Sequence, residues 1–225
     1  MRLLTFRFLT VIIGLLISVN SAFAFFSDIP TSYPYYQEIK ELSENGLLSE
    51  TSTNEFRPND PLTNADFYTL MLEYAHAPLA QKANLPFKDT SNAANYAPYL
   101  QTALNLGILK AQGSNPMFYP QKQITKSAAL TALFQALGIG TSPFFDQSKF
   151  PFSDLDPNSE PAKVAQKAAE LNILEPAPNS KFFKRDKKIT RGELADYLYK
   201  IYQYKPTSVA NVQIKYVVKE APDNS

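Results

Sequence analysis

Three copies of one pattern run through the chain, and this repetition constrains the fold more than any other feature. Each copy opens with Phe-x-Asp, and these triplets end at Asp28, Asp89 and Asp154. Eighteen residues after each Asp stands a small turn-forming residue: Gly46, Gly107 or Asn172. An aromatic residue follows, and seven residues beyond it comes a Thr; the pairs are Phe56 and Thr63, Phe118 and Thr125, and Phe183 and Thr190. Offsets that agree this often indicate an internal repeat.

Each copy has the pattern of a helix, a loop and a second helix. The first helix carries an apolar face, formed by Tyr36, Ile39 and Leu42; by Leu100, Ala103 and Leu104; and by Val164, Ala165, Ala168 and Ala169. The Gly or Asn that follows predicts the helix end, because it adopts a left-handed conformation easily. The second helix starts at the Thr and shows a one-sided stripe: Phe67, Leu70, Met71 and Tyr74; Ala129, Ala132, Leu133 and Ala136; and Leu194, Tyr197, Leu198 and Ile201.

These patterns predict an all-α fold in which three helix–loop–helix repeats pack as one pseudo-threefold domain, because no two-helix unit can bury its apolar face alone. We place the repeats at residues 25–84, 85–149 and 150–205. A tail follows at 206–225, and the alternation of apolar and polar residues over 209–218 predicts a short strand. Such a strand either pairs with a partner chain, packs on the domain or frays.

The first residues have the features of a secretory signal peptide, which we place at 1–24. Arg2 and Arg7 precede an apolar run over 8–19, and small residues stand at the last and third-last positions before a cut after Ala24. The apolar run is shorter than the roughly 20 residues that cross a bilayer. We therefore expect cleavage rather than a retained anchor, and a secreted protein with no membrane span.

Composition excludes several classes of function. Removal of Arg2 and Arg7 changes the formal charge from +1 to −1, and a charge near zero argues against a nucleic-acid binder. The absence of Cys excludes disulfides, thiol catalysis and thiolate metal sites. The single His, His76, has no partner motif for a triad or a metal cluster, and the seven glycines form no phosphate-binding loop. We predict a non-enzymatic protein without catalytic residues, metal or cofactor.

The repeats resemble the S-layer homology domain family. Repeats of that family open with Phe-x-Asp, carry Gly-Ile near the middle and Phe-x-Pro later, and close with Ile-Thr-Arg-Ala-Glu at the start of a helix. The closing segments here run over Leu62–Asp66, Ile124–Ala128 and Ile189–Glu193. The resemblance implies non-covalent attachment at the bacterial cell surface or envelope, through grooves between repeats that bind an acidic wall polysaccharide or a modified peptidoglycan.

The resemblance also implies which residues contact the polymer: the Arg of the closing motif, the Asp of the opening motif and nearby aromatics. In this chain they are Arg191, Lys126, Asp28, Asp89, Asp154, Tyr35 and Tyr96. The chain departs from the family at Asn64, which replaces the first Arg, at Pro161, which replaces the third aromatic, and in its lack of Trp.

Each of these residues also has a structural interpretation. Arg191 either grips a carboxylate or phosphate with its planar guanidinium or forms a salt bridge to another repeat. The opening Asp residues either contact sugar hydroxyls or cap the turn or helix that follows them. The two tyrosines either offer flat faces to a sugar ring or pack in the core or rim. Thr190 and Glu193, like Thr63 and Asp66, have the spacing of a capping box.

The charge of the loops differs between copies. Residues 181–193 carry a net charge of +4 and residues 107–128 one of +3, whereas residues 50–66 carry −3. This gradient is either ordinary solvated surface or a sign of an anionic ligand near the second and third copies. The second interpretation adds Arg185, Lys188 and Glu193 to the candidate polymer contacts. The rival function is an envelope protein–protein module or adaptor that uses the same grooves, with a possible protein partner at the tail.

Overall fold

The computed structural model describes residues 25–48, 54–141, 143–146, 148, 152–174 and 181–204. These residues form six helices, two in each repeat: α1 (Tyr36–Glu44), α2 (Asn64–Tyr74), α3 (Ala97–Asn105), α4 (Lys126–Ala136), α5 (Glu160–Glu170) and α6 (Arg191–Tyr204). The prediction of an all-α fold is confirmed. None of the described helices combines the length and apolar character needed to cross a membrane. The predicted signal peptide and the strand-like tail lie outside the described residues.

The helices pack between repeats rather than within them. The second helix of each repeat lies against the first helix of the next, so that α2 packs on α3, α4 on α5, and α6 on α1. Packing of α6 on α1 closes the ring. At its centre α2 also packs on α4, and the Tyr74 hydroxyl on α2 donates to the Leu198 carbonyl on α6 at 3.1 Å. This cyclic order produces the pseudo-threefold arrangement of the six helices.

A ring of backbone hydrogen bonds joins the three segments that precede the second helices. The Leu62 amide donates to the Ile189 carbonyl at 3.0 Å, the Ile189 amide to Ile124 at 3.4 Å, and the Ile124 amide to Leu62 at 3.0 Å. All three side chains are buried. Hydrogen bonds are electrostatically stronger where water is excluded, and a buried amide without an acceptor is costly. Each repeat therefore needs both others to satisfy this backbone.

The apolar stripes predicted on the second helices all face the core, and every residue of them is buried. Burial extends beyond the stripes to Tyr68, Leu72, Leu130, Phe134 and Ala195. The second helices are enclosed on more than one side, whereas the stripe alone predicts one buried face. The first helices are more peripheral.

The predicted helix ends occur at the same position in each copy. Gly46, Gly107 and Asn172 adopt φ values of 68°, 71° and 55° after α1, α3 and α5. In each case the next amide reaches back to a carbonyl in the last turn, as Leu47 does to Leu42 at 2.8 Å. This pattern is the Schellman motif, which satisfies carbonyls that the helix leaves without partners.

The second helices α2 and α4 end in the same way, at positions that the sequence patterns did not single out. His76 follows α2 with a φ of 46°, where Gly138 follows α4 with a φ of 62°. The amides of His76 and Ala77 donate to Glu73 and Leu72, at 2.9 and 3.0 Å. The only His of the chain therefore stands in a conformation that favours Gly.

Residues 25–84 alone should not fold. α1 and α2 have their packing partners, α6 and α3, in other repeats, and the Leu62 amide loses its acceptor. We expect the isolated fragment to lack a cooperative thermal transition in circular dichroism, whereas residues 25–204 should melt cooperatively. A cooperative transition in the fragment would contradict the shared core.

Replacement of His76 with Gly should raise the free energy of unfolding by about 1 kcal/mol, because a left-handed L-residue pays a steric cost that Gly avoids. Gly138→Ala is the converse test and should lower the free energy by a similar amount. A Cβ on Gly138 meets nothing within 4 Å, so only the backbone cost applies. Urea denaturation measures both variants, and unchanged midpoints would disprove this account.

Candidate functional site

Three grooves run between the repeats, each bounded by the second helix of one repeat and by the first helix and loop of the next. We name them the α2–α3, α4–α5 and α6–α1 grooves, and we name the loop that contains Phe56, Phe118 or Phe183 the Phe loop. The first two amides of each second helix donate to carbonyls of the neighbouring Phe loop. In the α4–α5 groove, for example, Lys126 donates to Lys187 at 2.8 Å and Ser127 to Arg185 at 3.1 Å.

The side chain at the first position of each second helix spans its groove. Arg191 Nε donates to the Phe56 carbonyl at 2.7 Å, Lys126 Nζ to that of Phe183 at 2.9 Å, and Asn64 Nδ2 to that of Phe118 at 3.2 Å. The Arg191 guanidinium also lies 5.0 Å from the centre of the Phe56 ring, and Lys126 Nζ lies 5.3 Å from the Phe183 ring. The three residues are braces between successive repeats.

Arg191 is 7% exposed, and burial lowers the pKa of its guanidinium, while nearby Asp66 opposes this shift. Arg191 does contact another repeat, as the structural interpretation expected, but it binds a backbone carbonyl rather than a carboxylate. No carboxylate of the described residues lies within 4.0 Å of the guanidinium. A carbonyl accepts one strong hydrogen bond here, and the ring of Phe56 supplies the second attraction.

The opening Asp residues hold the Phe loops. Asp28 accepts the amides of Phe56 and Arg57 at 2.8 and 2.6 Å. Asp89 and Asp154 accept the equivalent amides in their own repeats. The role differs from the expected local cap, because the amides lie 28 to 30 residues downstream. These contacts secure a strained loop, since the residue after each Phe has a φ of 56° to 59°: Arg57, Tyr119 and Lys184.

The candidate aromatics lie at the starts of the first helices. Tyr35 and Tyr96 are the residues before α1 and α3, and both are partly buried. Burial raises the pKa of the Tyr35 hydroxyl, with smaller contributions from Asp196 and Glu193 on α6. Tyr35 therefore lies in the α6–α1 groove, and Tyr96 occupies the matching place in the α2–α3 groove.

Glu193 completes the capping box expected from the sequence. Its Oε2 accepts the Thr190 amide at 3.0 Å, and its own amide donates to the Thr190 hydroxyl at 3.2 Å. Lys187 also pairs with Glu193. In the first copy only half of the box forms. The Asp66 amide donates to the Thr63 hydroxyl at 3.1 Å, but the Asp66 carboxylate accepts from that same hydroxyl, at 2.8 Å.

A cavity of about 390 Å³ lies in the α4–α5 groove. Ser127, Thr131 and Gln135 line it from α4, and Pro161 and Arg185 line it from the third repeat. The sequence reasoning missed the three α4 residues. Their signal was their spacing of four, which places polar side chains on the helix face opposite the core stripe.

Arg185 and Asp186 line this cavity, and two lysines, Lys126 and Lys188, lie on the elements beside it. The Arg185 side chain is 53% exposed and pairs with Asp186 at 3.1 Å. Lys126 is half-buried, and its pKa is lowered by burial and then by the nearby charge of Lys187. Lys188 is exposed, and its backbone pairs with that of Thr125 just before α4. The candidate contacts therefore divide among the grooves, with Arg185, Lys126 and Lys188 at the α4–α5 groove.

The corresponding helix faces of the other two grooves carry charged residues. The positions of Thr131 and Gln135 are taken on α6 by Asp196 and Lys200, which pair at 3.1 Å. On α2 the position of Gln135 is taken by Glu73, which accepts from the Tyr99 hydroxyl at 3.0 Å. Only α4, among the three second helices, presents an uncharged polar face to its groove.

Comparison with known proteins gives a family and several relatives. The family model for the S-layer homology domain matches residues 25–67, 86–130 and 151–195. An S-layer protein of Bacillus thuringiensis subsp. finitimus is 25% identical over 200 residues, and the S-layer protein sap of Bacillus anthracis is 24% identical over 200 residues. Each of these two matches covers 89% of this chain, which spans 24% of the relative. An endoglucanase of Bacillus sp. (strain KSM-635) is 36% identical over 112 residues, which are 48% of this chain and 11% of that protein.

Arg191→Ala should lower the free energy of unfolding by about 1.5–3 kcal/mol, the usual range for a hydrogen bond to a charged group. Arg191→Lys should recover part of the loss, because Lys126 already makes the same contact with an ammonium group in the second repeat. Asn64→Ala should cost less than Arg191→Ala, since it removes a neutral brace. Guanidinium denaturation measures the series. Equal stability of Arg191→Ala and wild type would show that the brace contributes nothing.

Proposed function

Because this chain belongs to the S-layer homology domain family, we propose that it attaches non-covalently to the bacterial cell wall or envelope. Its ligand is an anionic wall polymer, either a secondary polysaccharide or a modified peptidoglycan, held in a groove between repeats. The protein acts as a binding module rather than an enzyme. It spans 11% of the similar endoglucanase, a share that gives no basis for transferring that activity.

The observation that carries this proposal is the cavity of the α4–α5 groove. At about 390 Å³ it falls in the size range of small-ligand sites. Its walls combine hydrogen-bonding groups, from Ser127, Thr131 and Gln135, with apolar surface from Ala132 and Pro161. This mixture suits a sugar, which offers hydroxyls at its edge and apolar C–H groups on its faces.

Charge favours the same groove for an anion. Arg185 and Asp186 both line the cavity, and the Arg185 guanidinium pairs with the Asp186 carboxylate. An acidic group on the polymer can compete for the guanidinium fork, because an exposed ion pair contributes little. Lys126 and Lys188 add positive potential at the rim, whereas Glu73 makes the α2–α3 groove less favourable to an anion, and Lys200 neutralises Asp196 in the α6–α1 groove.

The mature protein should co-sediment with wall sacculi of its own organism. Acid extraction of the secondary polymer should abolish sedimentation if the ligand is the secondary polysaccharide and leave it unchanged if the ligand is peptidoglycan. Arg185→Gln should weaken binding by about tenfold, equivalent to about 1.4 kcal/mol. Rising salt should weaken it further through screening.

Arg57→Gln is the matched control, because Arg57 is an exposed arginine of the first Phe loop that pairs with Asp60 at 3.5 Å. It should sediment as wild type does. Sedimentation that survives acid extraction would point to peptidoglycan or a protein partner instead of the secondary polymer. Failure to sediment with untreated sacculi would reject wall binding.

A further inference from the structure

Tyr33 lies in the α6–α1 groove and has no large counterpart in the other repeats. Its hydroxyl lies 3.4 Å from the Pro58 carbonyl at the base of the groove. Ala94 and Ser159 are its equivalents, as the backbone hydrogen bonds show. In each repeat the residue at this position donates to the carbonyl three residues earlier and accepts from the amide three residues later. Two repeats therefore carry a small side chain where the first carries a phenol.

The second observation is Gly192, the residue of α6 that faces Tyr33. A Cβ built on Gly192 would lie 2.2 Å from the Tyr33 hydroxyl oxygen and 3.0 Å from the Pro58 carbonyl oxygen. The equivalent residues of the other second helices, Ala65 and Ser127, both carry a Cβ. Gly is a weaker helix former than Ala, so its presence in α6 calls for a packing reason. The tyrosine supplies that reason.

The phenol takes the place that the cavity occupies in the α4–α5 groove. Ser127 lines that cavity, and the equivalent of Ser127 is Gly192, against which the Tyr33 hydroxyl lies. One turn further along the helix, Thr131 is partly exposed in the α4–α5 groove, whereas its equivalent Asp196 is only 6% exposed. The α6–α1 groove is thus filled where the α4–α5 groove is open.

We propose that Tyr33 is a specificity-determining residue that fills the α6–α1 groove, closes it to wall polymer and leaves the α4–α5 groove to bind it. This inference rests on the proposed function. The matched pair of Tyr33 and Gly192 makes the three grooves unequal, although the repeats that form them share one fold. The number of polymer segments that one domain holds is therefore smaller than the number of its repeats.

The test moves the pair into the open groove. Ser159→Tyr combined with Ser127→Gly places the phenol and its matching Gly in the α4–α5 groove. Ser159→Ala combined with Ser127→Gly is the reference, because it shares the lost Ser127 hydroxyl and the lost cap on the Ala162 amide. We expect the Tyr variant to lose sedimentation with sacculi relative to this reference. Equal sedimentation of the two folded variants would overturn the proposal.

A second measurement needs no polymer. The chain has no Cys, so Thr131→Cys introduces a single thiol on the cavity wall. Its labelling by a maleimide should be several-fold slower in the Tyr variant than in the reference, and an equal rate would overturn the proposal. If wild type fails to sediment, wall binding is rejected, and this labelling rate still decides whether a tyrosine fills the groove.

The reverse change keeps the inference testable if the Tyr variant fails to fold. Tyr33→Ala should speed the labelling of Asp196→Cys several-fold relative to Asp196→Cys alone, because Asp196 occupies the position of Thr131 in the filled groove. An unchanged rate would show that Tyr33 does not close it.

Discussion

The ring of hydrogen bonds through Leu62, Ile124 and Ile189 is the interaction on which the rest of the structure depends. Each repeat donates to one neighbour and accepts from the other, so the ring has no free end. Directly after it the chain turns into the second helices, whose first amides donate to the neighbouring Phe loops. The direction of the ring thus decides which loop each helix faces, and with it the composition of every groove.

The opening Asp, the Phe loop and the cation of the closing motif depend on one another for their positions. A brace such as Arg191 needs the Phe56 carbonyl at the right place, and that carbonyl belongs to a loop whose next residue has a positive φ. A non-Gly residue in this conformation is strained, so the loop must be held from outside. The carboxylate of Asp28 holds it through two amides. Loss of the opening motif would therefore disturb the closing one, although they are far apart in sequence.

The helices and their ends could be predicted from local sequence patterns, whereas the packing partners of the helices could not. Helix stripes and the left-handed residues Gly46, Gly107 and Asn172 were predictable, since periodicity and the Cβ clash act within a few residues. The packing partner of each stripe was not predictable, because an apolar face can pack against any other apolar face. In the structure α1 packs on α6 rather than on α2 of its own repeat. The same limit applies to the site. Arg191 and Asp28 were candidate site residues because of their charge and their motifs. Only the folded structure shows that both bind the Phe loop at Phe56. The sequence reasoning did not single out Tyr33, because the space for its hydroxyl is provided by the missing Cβ of Gly192 in another repeat.

Closure of the ring between α6 and α1 has a consequence for the order of folding. The hydrogen bond between Tyr202 and Asn45 at this junction joins residues 157 positions apart, whereas that between Tyr99 and Glu73 in the α2–α3 pair spans 26. In an otherwise unfolded chain the longer closure costs about 1.6 kcal/mol more in chain entropy, since the cost grows as (3/2)RT ln n. Contacts that are distant in sequence form slowly for the same reason. During synthesis α1 must therefore wait for α6, and until then the six-helix domain is an open arc with an apolar surface at each end.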